Sequence, residues 1–165
     1  MRPIRLKMLG IGPYATEIDL DFSKLNEEGL FLITGATGTG KTFIFDGITY
    51  ALFGKANFDD NEKKNGIICD YIDNKEKSKA YVEYIFEIDD INYRVRRTPT
   101  YEYTNRNGKL DKKHETVEIE FEDVIKTNKK TVDKLIEEDI SFEDIRLFCH
   151  GGPSNRSKLH CRTTN

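Results

Sequence analysis

A glycine-rich run, Gly35-Ala36-Thr37-Gly38-Thr39-Gly40-Lys41-Thr42, constrains this chain more than any other segment. It satisfies the spacing Gly-x-x-x-x-Gly-Lys-Ser/Thr, and its neighbours restrict it further. The apolar stretch Leu30-Phe31-Leu32-Ile33 just before it reads as a strand buried on both faces. Beyond it, residues 43–53 set Ile44, Ile48, Ala51 and Leu52 on one helical face. Strand, glycine loop and helix in that order predict an α/β fold in which the loop runs into a helix N-terminus.

Glycines at these positions permit backbone conformations and a close approach that side chains would block. Successive N–H groups turn inward and join the unpaired donors of the first helical turn, which makes a concave site for anions. Residues Gly35, Ala36, Thr37, Gly38, Thr39, Gly40, Lys41 and Thr42 are therefore expected to hold the phosphates of ATP. Lys41 is expected to reach the β- and γ-phosphates, and the Thr42 hydroxyl to ligate Mg²⁺. The bland alternative is a glycine-rich turn with no chemistry. Asp46, one turn beyond Thr42, reads as a first-turn acid that suits the helix dipole.

At 165 residues the chain can hold one ordinary domain. Charged residues make up 33% of it and no apolar run approaches membrane-spanning length, so a soluble protein is expected. The start scatters Arg2, Arg5 and Lys7 among apolar residues, unlike a signal peptide, which points to the cytoplasm. A net charge of −3 leaves no global nucleic-acid footprint, though a local basic face remains open. Three widely spaced cysteines argue against a disulfide framework.

Alternation places strands at residues 4–9 and 16–22, the second with Ile18, Leu20 and Phe22 on one face, and the two form a hairpin ahead of the glycine loop. Residues 54–78 turn polar and read as a long surface loop with a short helical turn. Residues 79–88 and 91–98 form two further strands about an Asp89-Asp90 turn. On the returning strand Arg94 and Arg96 share one face, while Tyr93, Val95 and Arg97 share the other. Residues 115–124 read as one more strand, Val132, Leu135 and Ile136 as a short helix, and Ser141 with Asp144 as a capping box opening another.

These segments carry a resemblance. The opening Arg2-Pro3-Ile4-Arg5-Leu6, then Gly12-Pro13-Tyr14, Ile18-Asp19-Leu20-Asp21-Phe22, Gly29 through the glycine loop, Ala51-Leu52-Phe53-Gly54, Tyr81-Val82-Glu83 and Tyr93-Arg94-Val95-Arg96-Arg97 resemble bacterial SbcC proteins. Those are ATPase subunits of the SbcCD nuclease, related to SMC and double-strand-break repair ATPases. The likeness is close to residue 100 and thins toward residue 145. Phe43, where the family usually has a small polar residue, and Gly47, where alanine is common, depart from it. The resemblance implies a P-loop NTPase of ABC/SMC-type head, N-terminal lobe only, at residues 1–145. It also implies ATP and Mg²⁺ bound through residues 35–42, with Arg5 near the nucleotide. The partners it implies are a second head, an SbcD-like nuclease and DNA ends or hairpins.

Parts that the family needs for hydrolysis are missing from these residues. No apolar strand ends in Asp-Glu and no Ser-Gly-Gly segment occurs, so the chain is expected to bind ATP without turning it over alone. Residues 146–165 contain no acid and few apolar residues, which reads as an aberrant, disordered tail behind a truncation or frame break. Cys149, His150, His160 and Cys161 lack the usual zinc spacing and read as a chance cluster. The group Arg94, Arg96 and Arg97 reads either as a solvated strand face or as a contact for DNA phosphates. Two alternatives stand beside the repair ATPase: a small-molecule P-loop kinase and a non-catalytic nucleotide-binding fragment.

Overall fold

The computed structural model describes residues 1–23, 33–55, 67–73 and 77–139. Its centre is a six-stranded sheet built from β1 (Arg2–Leu9), β2 (Ile18–Asp21), β3 (Tyr81–Ile88), β4 (Ile91–Thr98), β7 (Thr116–Phe121) and β8 (Val124–Lys126). The strand order is β2-β1-β3-β4-β7-β8, and every neighbouring pair is antiparallel. A separate two-stranded sheet pairs β5 (Tyr101–Thr104) with β6 (Leu110–Lys113). Helix α1 (Lys41–Phe53) packs on β1, β3 and β4, and α2 (Lys129–Asp139) packs on β7 and α1.

The period-two pattern decides which face the helices cover. Leu6 and Met8 of β1, Val82, Tyr84 and Phe86 of β3, Val95 of β4, and Ile119 of β7 are fully buried. The register places Leu6 beside Tyr84, Tyr84 beside Val95, and Val95 beside Ile119, so these side chains share the helix-facing side. An aromatic ladder runs along that face: Tyr84 stacks on Phe86, Phe86 on Tyr93, and Tyr93 on Phe121, at centroid spacings of 5.2, 5.4 and 5.2 Å. From α1, Ile44, Ile48, Ala51 and Leu52 are buried, the four positions that its periodicity selects.

The two family departures in α1 are packing features. A Cβ on Gly47 would collide with the sulfur of Met8, so the glycine lets β1 approach the helix closely. Phe43 lays its ring over Gly12, whose own Cβ would overlap that ring.

Several expectations change. The polar stretch 54–78 is not wholly a surface loop, because Ile67, Ile68 and Cys69 are buried. They are tied to β1's end by Gly12 N donating to Ile67 O and Cys69 N donating to Gly10 O, at 2.8 and 2.9 Å. The strand expected over 115–124 breaks at Glu122-Asp123, with Glu122 at φ 49°, and returns as β8. The hairpin of β5 and β6 adds two strands that alternation did not single out. The strand expected at 30–33 lies outside the described residues apart from Ile33, which is half-buried. The Ser141–Asp144 box, the tail and the Cys/His cluster also lie outside them.

Candidate functional site

The loop ahead of α1 is open to solvent from residue 34 to residue 39, and Thr42 is exposed at the helix start. Gly38 and Gly40 adopt φ values of 84° and 86°, a left-handed conformation that favours glycine. A Cβ at Gly38 would meet nothing within 4 Å among the described residues. The Lys41 ammonium folds over the loop. It donates to Gly35 O at 2.8 Å, Ala36 O at 2.6 Å and Thr39 Oγ1 at 3.4 Å, while Thr39 Oγ1 donates to Ala36 O at 2.8 Å. The motif residues thus converge on one cationic group.

Helix α1 opens at Gly40 with no side-chain cap and no acid in its first turn. Its unpaired N–H groups and positive dipole end are therefore not neutralised by a carboxylate there. Asp46 departs from expectation: it sits in the second turn and is 3% exposed, so it is a core residue rather than a surface acid at the helix start. The donor set suits a polyphosphate with a hard divalent cation. Backbone N–H groups and an ammonium are donors of the kind a phosphate accepts, and the exposed Thr42 hydroxyl is a hard oxygen of the kind Mg²⁺ takes. Among the described residues no group of three His, Cys, Asp or Glu side chains is arranged to hold a metal by itself.

Behind the loop stands the turn that follows β1. Ile11 and Tyr14 bond each other's backbones, Ile11 N to Tyr14 O at 3.2 Å and Tyr14 N to Ile11 O at 2.9 Å. The Tyr14 hydroxyl donates to Gly40 O at 3.0 Å. A Cβ on Gly40 would lie 2.8 Å from that hydroxyl oxygen and 2.9 Å from Pro13 Cγ. Burial raises the Tyr14 phenol above its ordinary pKa, which keeps it a donor. In the sequence Tyr14 stands out only as part of the Gly12-Pro13-Tyr14 segment of the resemblance, and nothing there assigns it a role.

The opposite end of α1 meets a fully buried arginine. Arg97, on the apolar face of β4, donates through Nε to Ala51 O at 2.7 Å and through Nη2 to Leu52 O at 2.8 Å. Its charge is balanced by Glu115 at 3.1 Å and by Asp133 of α2 at 2.6 Å. Tyr50 donates to Glu115 at 3.1 Å, and Gly54 N caps the helix by donating to Tyr50 O at 2.8 Å.

Arg5, Arg94 and Arg96 lie on the far face of the sheet. Arg5 is not brought to the loop; it grips Asp19 with two bonds of 2.6 Å. Arg94 reaches Glu83 and Glu118 at 3.3 and 2.9 Å and also pairs with Glu120. Arg96 pairs with Glu83 at 3.2 Å and covers the Tyr81 ring at 3.8 Å. The sequence group Arg94, Arg96 and Arg97 is therefore split between two faces and occupied by carboxylates. By contrast, Arg106, Lys109, Lys112 and Lys113 of the β5–β6 hairpin form no ion pair among the described residues, and the hairpin strand β6 is exposed throughout.

No helix among the described residues is long and apolar enough to cross a membrane. A family model described as an AAA domain matches residues 5–160. Over 115 residues the chain is 40% identical to the SbcC subunit of the SbcCD nuclease from Staphylococcus aureus strain MRSA252, and to its counterpart from strain Newman. These matches cover 67% of this chain and 11% of each relative, so the chain spans about a tenth of the length of the curated relatives it matches. They are the proteins that the N-terminal motifs resemble. An antiparallel sheet backed by two helices, a glycine loop leading into one of them, and a domain match across nearly the whole length agree: the chain belongs to the AAA domain family.

Proposed function

We propose that this chain is the ATP-binding lobe of an SbcC-like ATPase subunit of a DNA double-strand-break repair nuclease, with the P-loop architecture of an ABC/SMC-type head. The observation that carries the reading is the convergence of the Lys41 ammonium, left-handed Gly38 and Gly40, and an uncapped, acid-free α1 N-terminus on one exposed loop. In this reading residues Gly35, Ala36, Thr37, Gly38, Thr39 and Gly40 offer backbone N–H groups to the α- and β-phosphates. Lys41 exchanges its loop carbonyls for β- and γ-phosphate oxygens, and Thr42 ligates Mg²⁺. The bound Mg²⁺ would neutralise developing phosphate charge.

The chain contains no Asp-Glu pair and no Ser-Gly-Gly segment, so binding without turnover is the expected behaviour of these residues alone. The antiparallel sheet supports this reading over a small-molecule kinase, whose strands alternate with helices. For DNA, the hairpin cations are better placed than Arg94 and Arg96, whose charges are already met by Glu83, Glu118 and Glu120. A second head and an SbcD-like nuclease complete the proposed assembly.

The test is calorimetric titration of MgATP into the chain and its Lys41→Ala variant, with phosphate release assayed alongside. Saturable binding is expected, weakened about tenfold to a hundredfold by the substitution, with no turnover. Equal binding by both chains would refute the site.

A further inference from the structure

The turn at residues 11–14 makes a contact with the glycine loop that the proposed ligand set does not include. Gly40 contributes the carbonyl of the peptide plane whose N–H belongs to Lys41. In a trans peptide those two groups point in opposite directions, so fixing the carbonyl fixes the N–H. That carbonyl receives two donors. Phe43 N bonds it at 2.9 Å from within the first helical turn, and the Tyr14 hydroxyl bonds it at 3.0 Å from outside the helix. The first bond belongs to a helix end, which frays readily. The second is anchored on a firmer base. Ile11 is fully buried and bridged to both Tyr14 and Ile68, and Gly12 N is tied to Ile67 O. Phe43 packs over Gly12, so turn and helix start are joined on two sides.

We propose that Tyr14 is a positioning residue for phosphate binding: its hydroxyl holds the Gly40–Lys41 peptide so that the Lys41 N–H stays aimed at the anion. The inference rests on the nucleotide reading of residues 35–42. Tyr14 donates to the protein and not to the ligand, so its effect belongs to the polyphosphate and is independent of the base. The left-handed conformation of Gly40 and its close approach to Tyr14 and Pro13 are both parts of the same fitting, and neither would accept a side chain.

The experiment compares the full chain with Tyr14→Phe and Lys41→Ala, titrating each with MgATP and with magnesium pyrophosphate. The Lys41 backbone amide resonance is followed in the free proteins. Tyr14→Phe keeps the ring and removes the hydroxyl alone. It should weaken both ligands by the same factor, about threefold to tenfold, and shift the Lys41 amide resonance, while lowering the melting temperature by no more than the few degrees that one hydrogen bond is worth. Unchanged affinity for both ligands, or an unmoved Lys41 resonance, overturns the proposal. A loss confined to MgATP overturns it as well, by making Tyr14 a base contact. If the unsubstituted chain binds neither ligand, the nucleotide reading itself fails. If it binds and only Lys41→Ala weakens it, that reading stands and the role of Tyr14 falls.

Discussion

The two ends of α1 are treated in opposite ways. At the C-terminus Gly54 caps the helix, Arg97 takes the carbonyls of Ala51 and Leu52, and Glu115 and Asp133 balance the guanidinium. The N-terminus has no side-chain cap, no acid in its first turn, and a lysine ammonium folded over an exposed loop. Positive charge at a helix C-terminus complements the dipole, whereas positive charge gathered at the N-terminus opposes it. One end of the helix is saturated by a buried cation, and the other is left cationic and open, which is the arrangement the proposed phosphate site calls for.

The comparison can be broken most severely at Arg97. Arg97→Met leaves Asp133 and two helix carbonyls without their buried partner, and leaves Glu115 to Lys129 and Tyr50 alone. It should lower the stability measured by denaturant titration by about 3–5 kcal/mol. A change below about 0.5 kcal/mol, the scale of ordinary surface substitutions, would show that the C-terminal end is not held as described.

At the N-terminal end, Gly40→Ala forces a side chain into a left-handed position against Tyr14 and Pro13. The expected cost is about 1–3 kcal/mol, divided between stability and MgATP affinity, and calorimetry with thermal melts would measure both. Neutral behaviour in both measurements would mean that the turn and loop are not pressed together.

The smallest effect is in pH. Tyr50 is pushed far above its ordinary value by burial first and then by the charge and hydrogen bond of Glu115, while Tyr14 is raised by burial alone. A raised phenol in the folded state means that its contribution is complete below the unfolded value near 10 and is lost as pH climbs through the folded value. Stability at both ends should therefore hold up to about pH 10. Absorbance titration of Tyr14→Phe and Tyr50→Phe beside the parent should then show Tyr14 ionising first. Ionisation of Tyr50 before Tyr14 would contradict the stronger closure of the C-terminal end.

Much of this contrast was legible in the sequence, and the part that was not has physical reasons. The buried face of α1 followed from Ile44, Ile48, Ala51 and Leu52 because a period of 3.6 records one-sided burial. The β-strand alternation put Arg97 on the apolar face with Tyr93 and Val95, a charge in a hydrophobic row, and burial there requires partners that only tertiary structure supplies. The same row was misread as part of a basic cluster because neighbours in sequence lie on opposite faces of a strand. The β5–β6 hairpin escaped because its strands are four residues each, although Asn107-Gly108 between them was a usable turn signal. Ile67, Ile68 and Cys69 read as surface because their neighbours are polar, and their burial comes from backbone bonds to Gly10 and Gly12.

The asymmetry of α1 can be read directly from backbone amides. In an NMR titration with magnesium pyrophosphate, the proposed phosphate site predicts saturable shifts concentrated at residues 35–42, with residues 50–54 at the closed end unmoved. Shifts of equal size at both ends, or none at residues 35–42 while the hairpin cations respond, would contradict it.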